Sequence, residues 1–274
     1  MKLRMRQAVQ KALDDSLASD ENVIILGEDI GAAGGAFKAT EGLMEKYGSL
    51  RVMDTPISEM GFLGAGVGAA IMGLKPVVEM MFIEFVGVAL DQLTTQAATM
   101  RYLSRGKFSV PLVMRASASA GQGFGCQHSQ TLDHWFRGTP GLKVVMPSGS
   151  RSAYGLLRAA IEDPDPVIVL EPRILYGVRE EFDVDENYRQ PLGKAEIIRN
   201  GEDVTLVTAG AMTSIAKAAA EICPAKIEII DLLSIWPWDS KTIFESARKT
   251  GRIVTLEESQ AASGWGGDII SKVL

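Results

Sequence analysis

Two short segments hold the side chains best suited to proton chemistry. DTPISEMGF, at Asp54–Phe62, places the carboxylate of Glu59 after a strand-like run, at the start of an apolar, glycine-rich helix. QHSQ, at Gln127–Gln130, carries His128, one of only two histidines, in a glycine-rich loop. Burial raises the pKa of a carboxyl group, so such an acid can exchange protons with a cofactor near neutral pH, and a histidine can serve a substrate in the same way. The ordinary interpretations are a helix-start carboxylate for Glu59 and a loop histidine for His128.

The composition is that of a globular protein with a substantial core. The chain has 274 residues, is 46% hydrophobic and 23% charged, and carries a net charge of -6. This acidic balance argues against a nucleic-acid surface, and no apolar run reaches membrane-spanning length without a charge or a helix breaker. Cys126 and Cys223 lack metal-type spacing and are interpreted as reduced thiols, which indicates the cytoplasm or an organelle matrix. With so few histidines and no cysteine cluster, a zinc site is not expected.

Strand-like runs alternate with helical segments, which predicts an α/β fold with a mostly parallel sheet sandwiched by helices. The predicted strands are Val23–Leu26, Arg51–Met53, Pro76–Met80, Val110–Arg115, Lys143–Val145 and Val167–Leu170. The predicted helices are Met5–Ala18, Glu59–Met72, Glu84–Tyr102 and Arg151–Ile161. Active sites in such sheets gather at the carboxyl ends of the strands. Glu28, Glu59, Phe85 and His128 each follow a predicted strand, so we expect them to converge at one rim.

A change in composition near Tyr176 indicates a domain boundary. We predict a first domain at 1–176, a charged linker at 177–192 and a second α/β unit at 193–274. The strands predicted for the second unit are Val204–Thr208, Ile227–Ile230 and Ile253–Leu256, and its helices are Thr213–Cys223 and Lys241–Lys249. This unit ends at Leu274 inside a further predicted helix, so we expect the second domain to be incomplete.

A glycine run at 64–69 matches the G-x-G-x-x-A pattern of dinucleotide-binding loops, and Glu79 ends the next predicted strand. In a dinucleotide-binding loop, the first glycine lies in the turn that leaves a strand. Here Ser58 is the predicted N-cap, which places Gly64 and Gly68 inside the helix and on one face. We therefore favour close helix–helix contact at this face, including contact across a subunit boundary, over a nucleotide loop.

Ordered motifs along the whole chain resemble the β subunits of the thiamine-diphosphate-dependent 2-oxoacid dehydrogenases. This E1β group covers pyruvate, branched-chain 2-oxoacid and acetoin dehydrogenases. The motifs are LGEDIG (Leu26–Gly31), DTPISEMGF, GLKPVVEMMF (Gly73–Phe82), VPLVMR (Val110–Arg115), QHSQ, PGLKVVMPS (Pro140–Ser148), AAIEDPDPVIVLEPRILYG (Ala159–Gly177) and GRIVTLEES (Gly251–Ser259). The resemblance implies a pyrimidine-binding domain of the transketolase type, followed by a transketolase C-terminal-like domain that is truncated here.

The resemblance also implies roles for residues of the first domain. Glu59 matches the carboxylate that hydrogen-bonds the pyrimidine ring of the cofactor, and Phe85 matches the aromatic residue that packs on that ring. Glu28 and Ile57 match other positions of the cofactor pocket. His128 matches the histidine that handles protons and charge on the substrate, or on the acyl group that leaves. Without the resemblance, Phe85 would be interpreted as core packing and Glu28 as a helix cap.

Cation binding is expected to be divided between two chains. The potassium site of the family is matched by Leu112, Ala160, Ile161, Asp163 and Asp165, where DPDP offers carboxylates and turn carbonyls. A polar turn between helix and strand is the alternative. The resemblance implies that Mg²⁺ is held by the α subunit, because this chain lacks the G-D-G run followed by asparagines. We therefore expect thiamine diphosphate to bind measurably only with an α partner.

The resemblance implies an oxidoreductase subunit that is active in an α2β2 heterotetramer. The enzyme would decarboxylate a 2-oxoacid, or cleave acetoin, and transfer the acyl group to the lipoyl domain of an E2 acyltransferase. FIEFVGVALDQL (Phe82–Leu93) is more similar to acetoin than to pyruvate enzymes, whereas the loop at 116–136 departs from the family patterns at Asp133 and His134, so the substrate stays open. Three alternatives are kept: a two-subunit transketolase-like enzyme, a non-catalytic binding module and a nicotinamide-binding oxidoreductase.

Overall fold

The computed structural model describes residues 2–183, 185 and 187–274, in which strands and helices alternate. The strands are β1 (Lys2–Arg4), β2 (Val23–Gly27), β3 (Val52–Asp54), β4 (Lys75–Phe82), β5 (Val113–Ala118), β6 (Lys143–Val145), β7 (Val167–Pro172), β8 (Arg179–Glu181), β9 (Glu196–Arg199), β10 (Val204–Thr208), β11 (Ile227–Asp231), β12 (Ser234–Trp236) and β13 (Ile253–Leu256). The α-helices are α1 (Met5–Ser19), α2 (Leu43–Tyr47), α3 (Glu59–Ile71), α4 (Ala98–Leu103), α5 (His134–Arg137), α6 (Ser150–Glu162), α7 (Met212–Ile222), α8 (Ser240–Thr250) and α9 (Trp265–Val273). Short 3-10 turns lie at Ile83–Val88 and Arg173–Leu175.

The main sheet has the strand order β12-β6-β7-β5-β4-β2-β3. The six strands from the first part of the chain run parallel, and β12 joins β6 in the antiparallel direction. Buried side chains of α3 pack on one face of this sheet, and those of α1 and α6 pack on the other. Strands covered on both faces can lack polar alternation, as the apolar runs of β2 and of Val167–Leu170 in β7 show. The predicted helix-covered parallel sheet is therefore confirmed.

The rest of the chain builds a second sheet, with the order β13-β10-β11-β9. β10 lies between β11 and β13 and is parallel to both, whereas β9, which was not predicted, pairs antiparallel with β11. The stretch expected to be a linker includes β8, which pairs with β1 at the start of the chain. One cluster of buried apolar side chains runs from the main sheet into this part of the chain. In the described part of the chain, no helix has the length and apolarity that crossing a membrane requires.

Two predicted elements differ from the structure, each for a local reason. The helix expected over Glu84–Tyr102 starts as a 3-10 turn and contains a π-helical segment at Gln92–Ala97 before α4. The hydroxyl of Thr94 donates to the carbonyl of Leu90 at 3.0 Å, so it competes with the regular helical bonds. The strand expected from Val110 starts instead at Val113, because Pro111 has no N–H to donate to the sheet.

A buried ion-pair network lies at the centre of the main sheet. Arg115 of β5, Glu79 of β4 and Glu171 of β7 are at most 6% exposed. The guanidinium of Arg115 donates to both oxygens of Glu171, at 2.8 and 2.7 Å, and also to Glu79. The hydroxyl of Tyr176 donates to Glu171 at 2.6 Å. Burial raises the pKa of Glu79, although the charge of Arg115 opposes this. Three adjacent strands are thus joined by charge-assisted hydrogen bonds.

A further buried acid lies where the two sheets meet. Asp231 ends β11, is 2% exposed and accepts a hydrogen bond from the hydroxyl of Ser148, which follows β6. Burial raises the pKa of Asp231 to about 7. An aspartate of the unfolded chain ionises at about pH 3.9, so ionisation of Asp231 opposes folding. This penalty is absent below about pH 4, grows as the pH rises and is complete above about pH 7.

We expect Asp231→Asn to unfold at a higher temperature than the parent chain at pH 8, because the buried negative charge is removed. The free energy of unfolding should increase by an amount on the order of 1–4 kcal/mol at pH 8, and this increase should become smaller as the pH falls toward 4. Asp239→Asn is the control, because hydrogen bonds from Thr242 lower the pKa of Asp239 in spite of its burial, so its ionised form stabilises the fold. Thermal unfolding across this pH range measures both variants. If the difference in unfolding temperature between Asp231→Asn and the parent chain were independent of pH, it would contradict the role assigned to Asp231.

Candidate active site

The carboxyl ends of four neighbouring strands carry the four residues predicted to converge. Glu28 follows β2, Glu59 opens α3 after β3, Phe85 lies in the 3-10 turn after β4, and His128 lies in the loop after β5. In the sheet these strands are adjacent, in the order β5-β4-β2-β3. The structure therefore brings the four positions to one rim, as the positions of the predicted strands indicated.

Two carboxylates form the polar end of this rim. Glu59 is half-buried, and Glu28 lies close enough to interact with it electrostatically. Burial raises the pKa of Glu28, and the charges of Glu59 and Asp29 raise it further, whereas the N–H of Ser58 lowers it. Oε1 of Glu28 is buried and has no hydrogen-bond partner among the residues that the structure describes. A buried acceptor of this kind is suited to a polar group of a ligand.

A third acid fixes the position of the loops that carry these two. Oδ1 of Asp54, the last residue of β3, accepts the backbone N–H of Gly31 at 2.6 Å. The backbone N–H of Thr55 donates to the carbonyl of Gly27 at 2.9 Å, so the two chain segments are joined in both directions. Gly31 is required by this close approach, because a Cβ there would lie 2.6 Å from Oδ2 of Asp54. The motifs LGEDIG and DTPISEMGF thus form one unit.

The glycines of α3 allow close packing within the chain. A Cβ at Gly64 would lie 2.9 Å from the side-chain oxygen of Gln92, in the π-helical segment. A Cβ at Gly66 would lie 2.8 Å from a methyl group of Val78, in the main sheet. Gly68 faces open space. Helix–helix contact therefore explains Gly64, and contact between helix and sheet explains Gly66.

The dinucleotide-loop interpretation of residues 64–69 is wrong. This run lies within α3, so its backbone amides are engaged by the helix and cannot face a pyrophosphate. Glu79, which would have bound a ribose, is buried and hydrogen-bonded to Arg115. Ser58 is the N-cap residue of α3, as predicted, although its hydroxyl donates to the carbonyl of Pro56 and not to the helix.

Aromatic rings surround His128. Its imidazole meets the ring of Phe82 edge-on, with centroids 4.7 Å apart, and that of Phe85 at 5.5 Å. Phe37 packs in turn on Phe82, also at 5.5 Å. Arg173 joins this group from the end of β7, the strand next to β5. Sequence reasoning missed Phe37, Phe82 and Arg173, although the position of Arg173 directly after a parallel strand was a usable signal.

Beside these residues the surface is apolar and uncovered. Ile57, expected in the cofactor pocket, is 84% exposed, and the neighbouring Met60 is 57% exposed. Val88, after Phe85, is 65% exposed, and Phe124, in the loop of His128, is 56% exposed. Apolar side chains gathered around a polar site are typical of a surface that another protein covers.

The acids matched to the potassium site are already paired within the chain. The ammonium group of Lys143 lies 2.6 and 2.7 Å from the two oxygens of Asp163, and Nε of Arg101 donates to Asp165 at 2.5 Å. The carbonyl of Leu112 accepts the N–H of Val167 at 2.9 Å. Apart from residues 1, 184 and 186, no group of three histidine, cysteine, aspartate or glutamate side chains is arranged to hold a metal ion.

Asp133, one of the two departures from the family patterns, faces the second sheet. It is fully buried, and its Oδ1 accepts the hydroxyl of Ser259, which follows β13, at 2.5 Å. Burial raises the pKa of Asp133, although the hydrogen bond from Ser259 opposes this. Arg137, one turn later, donates to the carbonyls of Ser263 and Gly264 at 2.6 and 3.0 Å. This part of the loop therefore attaches the rim to the C-terminal part of the chain.

Comparisons with known proteins agree with this arrangement. Residues 1–179 match the family described as transketolase, pyrimidine binding domain, and residues 193–274 match transketolase, C-terminal domain. The mitochondrial pyruvate dehydrogenase E1 component subunit beta of Pisum sativum is 45% identical over 99% of this chain and 77% of its own length. The 2-oxoisovalerate dehydrogenase subunit beta of Pseudomonas aeruginosa is 43% identical over 99% of this chain and 82% of its own length.

Among solved structures, a split-gene transketolase described as an inactive beta4 tetramer superposes with a TM-score of 0.82. It is 25% identical, and the match covers 99% of this chain and 85% of that one. The parallel sheet, the ordered motifs and the sequence matches over 99% of this chain lead to one assignment. The chain belongs to the E1β subunits of the thiamine-diphosphate-dependent 2-oxoacid dehydrogenases, with pyrimidine-binding and C-terminal domains of the transketolase type.

Proposed function

We propose that the rim formed by Glu28, Ile57, Glu59 and Phe85 binds the aminopyrimidine half of thiamine diphosphate. The observation that carries this proposal is the buried, unpartnered Oε1 of Glu28 beside Glu59, next to the exposed apolar surface at Ile57. Such a pocket suits a ring that is both flat and polar. When bound, thiamine diphosphate supplies a nucleophilic carbon and an electron sink for bond cleavage next to a carbonyl group.

The residues of this chain hold and move protons at the rim. The carboxyl group of Glu59 would share a proton with a ring nitrogen of the cofactor. Burial, together with the charges of Glu59 and Asp29, raises the pKa of Glu28 beside it. Phe85 offers a ring face or edge for packing on the pyrimidine. The imidazole of His128, in edge-on contact with Phe82 and Phe85, transfers a proton to or from the substrate or the departing acyl group.

The reaction proposed is decarboxylation of a 2-oxoacid, followed by transfer of the acyl group to the lipoamide of an E2 acyltransferase. The relatives at 43–45% identity are named for pyruvate and 2-oxoisovalerate, which favours 2-oxoacids. Cleavage of acetoin is the second candidate, because FIEFVGVALDQL is similar to acetoin enzymes. The transketolase neighbour is less similar to this chain, at 25% identity. A screen of 2-oxoacids, acetoin and sugar phosphates as substrates distinguishes the three candidate activities. The location proposed is the cytoplasm or an organelle matrix, and the relative from Pisum sativum is named as mitochondrial.

An α subunit is the proposed partner at the rim, in an α2β2 heterotetramer, and it would hold the Mg²⁺ and the diphosphate. The uncovered apolar side chains of Ile57, Met60, Val88 and Phe124 support this proposal. The relatives support it as well, since they are named as beta subunits, and the split-gene transketolase is described as inactive when it is a beta4 tetramer. A non-catalytic module would fold normally and yet activate no α subunit.

Glu59→Gln tests the proton-sharing role. In the enzyme reconstituted with its α subunit, we expect turnover to fall by at least about a hundredfold, because an amide cannot exchange the proton. Assembly, measured by size-exclusion chromatography, should be unchanged. Glu21→Gln is the matched control, since Glu21 is an exposed acid in the turn between α1 and β2. Full activity of Glu59→Gln would refute the role.

Cofactor binding should depend on both subunits. We expect calorimetry to show no saturable binding of thiamine diphosphate with Mg²⁺ to this chain alone, because the residues it provides contact only the pyrimidine half. Addition of the α subunit should produce binding that chelation of Mg²⁺ abolishes. Tight binding by the isolated chain would contradict the division of the site between two subunits.

We also propose a potassium site at Leu112, Ala160, Ile161, Asp163 and Asp165, with backbone carbonyls as the main ligands, since the two carboxylates are paired with Lys143 and Arg101. Hard cations prefer oxygen ligands. We expect the unfolding temperature of the chain to be higher in KCl than in choline chloride at equal ionic strength. Asp165→Asn should reduce the difference. Identical unfolding curves in the two salts would contradict the potassium site and favour the interpretation of this segment as a polar turn.

A further inference from the structure

We propose that Arg173 is a positioning residue that holds the loop of His128 in place at the rim. This inference rests on the function proposed above, in which His128 acts on the substrate. Arg173 directly follows β7, in the 3-10 turn Arg173–Leu175, and is 8% exposed. Because β7 is the neighbour of β5, its carboxyl end lies beside the start of the loop that carries His128.

Arg173 contacts both the backbone of this loop and the rings around the imidazole. Its Nη2 donates to the backbone carbonyl of His128 at 2.8 Å. Its guanidinium carbon lies 4.6 Å from the centre of the Phe124 ring, in the same loop, and 5.1 Å from that of Phe82, which the imidazole meets edge-on. One side chain therefore fixes the loop backbone and one of the surfaces on which His128 packs.

The charge of Arg173 is not used in an ion pair. Among residues 2–183, 185 and 187–274, no carboxylate lies within ion-pair distance of it. Burial lowers the pKa of Arg173, and the charge of Glu84 opposes this. Oε1 of Glu84 accepts the backbone N–H of Gln130 at 2.7 Å. Arg173 and Glu84 thus hold opposite groups of the loop, a carbonyl at 128 and an N–H at 130. Two fixed points two residues apart define the direction of the backbone between them.

We expect the chain to fold without the guanidinium of Arg173. Burial of a guanidinium without an ion-pair partner carries a desolvation cost that no salt bridge offsets, so we expect an apolar residue of similar length to be tolerated at this position. Its Nε is also buried without a hydrogen-bond partner in the described part of the chain. Arg173→Met is therefore expected to fold, while losing the hydrogen bond to His128. Arg173→Lys keeps the cation near the rings and should restore part of the function.

Hydrogen exchange of the full chain tests the anchoring without any need for activity. In Arg173→Met, we expect the amides of residues 119–130 to exchange about tenfold faster, while exchange in the main sheet stays unchanged. Arg51→Met is the matched control, since Arg51 also donates to backbone carbonyls, those of Leu17, Asp20 and Val23, at a site remote in sequence from the loop. It should leave exchange at 119–130 as in the parent chain. Unchanged exchange in Arg173→Met would overturn the proposal.

Kinetics of the enzyme reconstituted with the α subunit test the consequence. For Arg173→Met, we expect kcat to fall about tenfold, with the affinity for thiamine diphosphate within twofold of the parent, because Arg173 touches neither Glu28 nor Glu59. Arg173→Lys should recover several-fold of the loss. Faster loop exchange with an unchanged kcat would also overturn the proposal. If the parent chain activates no α subunit, the proposed function fails, and the exchange experiment alone still decides whether Arg173 holds the loop.

Discussion

The buried guanidinium of Arg115, held between Glu79 and Glu171, is the interaction on which the active-site rim depends. The three strands that supply this network, β4, β5 and β7, are the strands whose carboxyl ends carry Phe85, His128 and Arg173. Loss of one member of a buried ion pair leaves an uncompensated charge, at a cost of roughly 3–5 kcal/mol. The register of the three strands is therefore fixed by these ion pairs as well as by the backbone hydrogen bonds of the sheet. The register of the strands in turn sets the relative positions of the rim residues that follow them.

The same network reaches the site through aromatic contacts. Tyr176 donates to Glu171 and packs on Phe37 with ring centroids 5.6 Å apart, and Phe37 packs on Phe82, beside the imidazole. A continuous path of buried and partly buried side chains thus connects the ion-pair network to the histidine. On the other side of the rim, the acids are held by the backbone and by Asp54, so the two halves of the site have separate supports. Rigid scaffolds of this kind position catalytic groups without large motions.

Much of the rim could be predicted from the sequence, because buried parallel strands appear in it as apolar runs, and the functional groups come directly after these runs. The convergence of Glu28 and His128 at one rim was predicted in this way, whereas their roles were implied by the family resemblance. Arg173 follows the same rule, but a charged residue after a strand is more often a solvated one, and its burial is set by rings that come from three other segments. β12 was missed because its place beside β6 depends on how the two sheets meet, which no local pattern encodes. The π-helical segment depends on hydroxyl bonds that propensity does not encode.

The link between Asp54 and Gly31 has a consequence for how this site can change. The distance between the two acids of the rim is governed by a third acid that touches neither of them. Any side chain at position 31 would displace Asp54, and any shorter residue at position 54 would release the segment that follows β2. Variation at either position would alter how two carboxylates share charge, so the acidity of this centre is adjustable from a location that no ligand needs to contact.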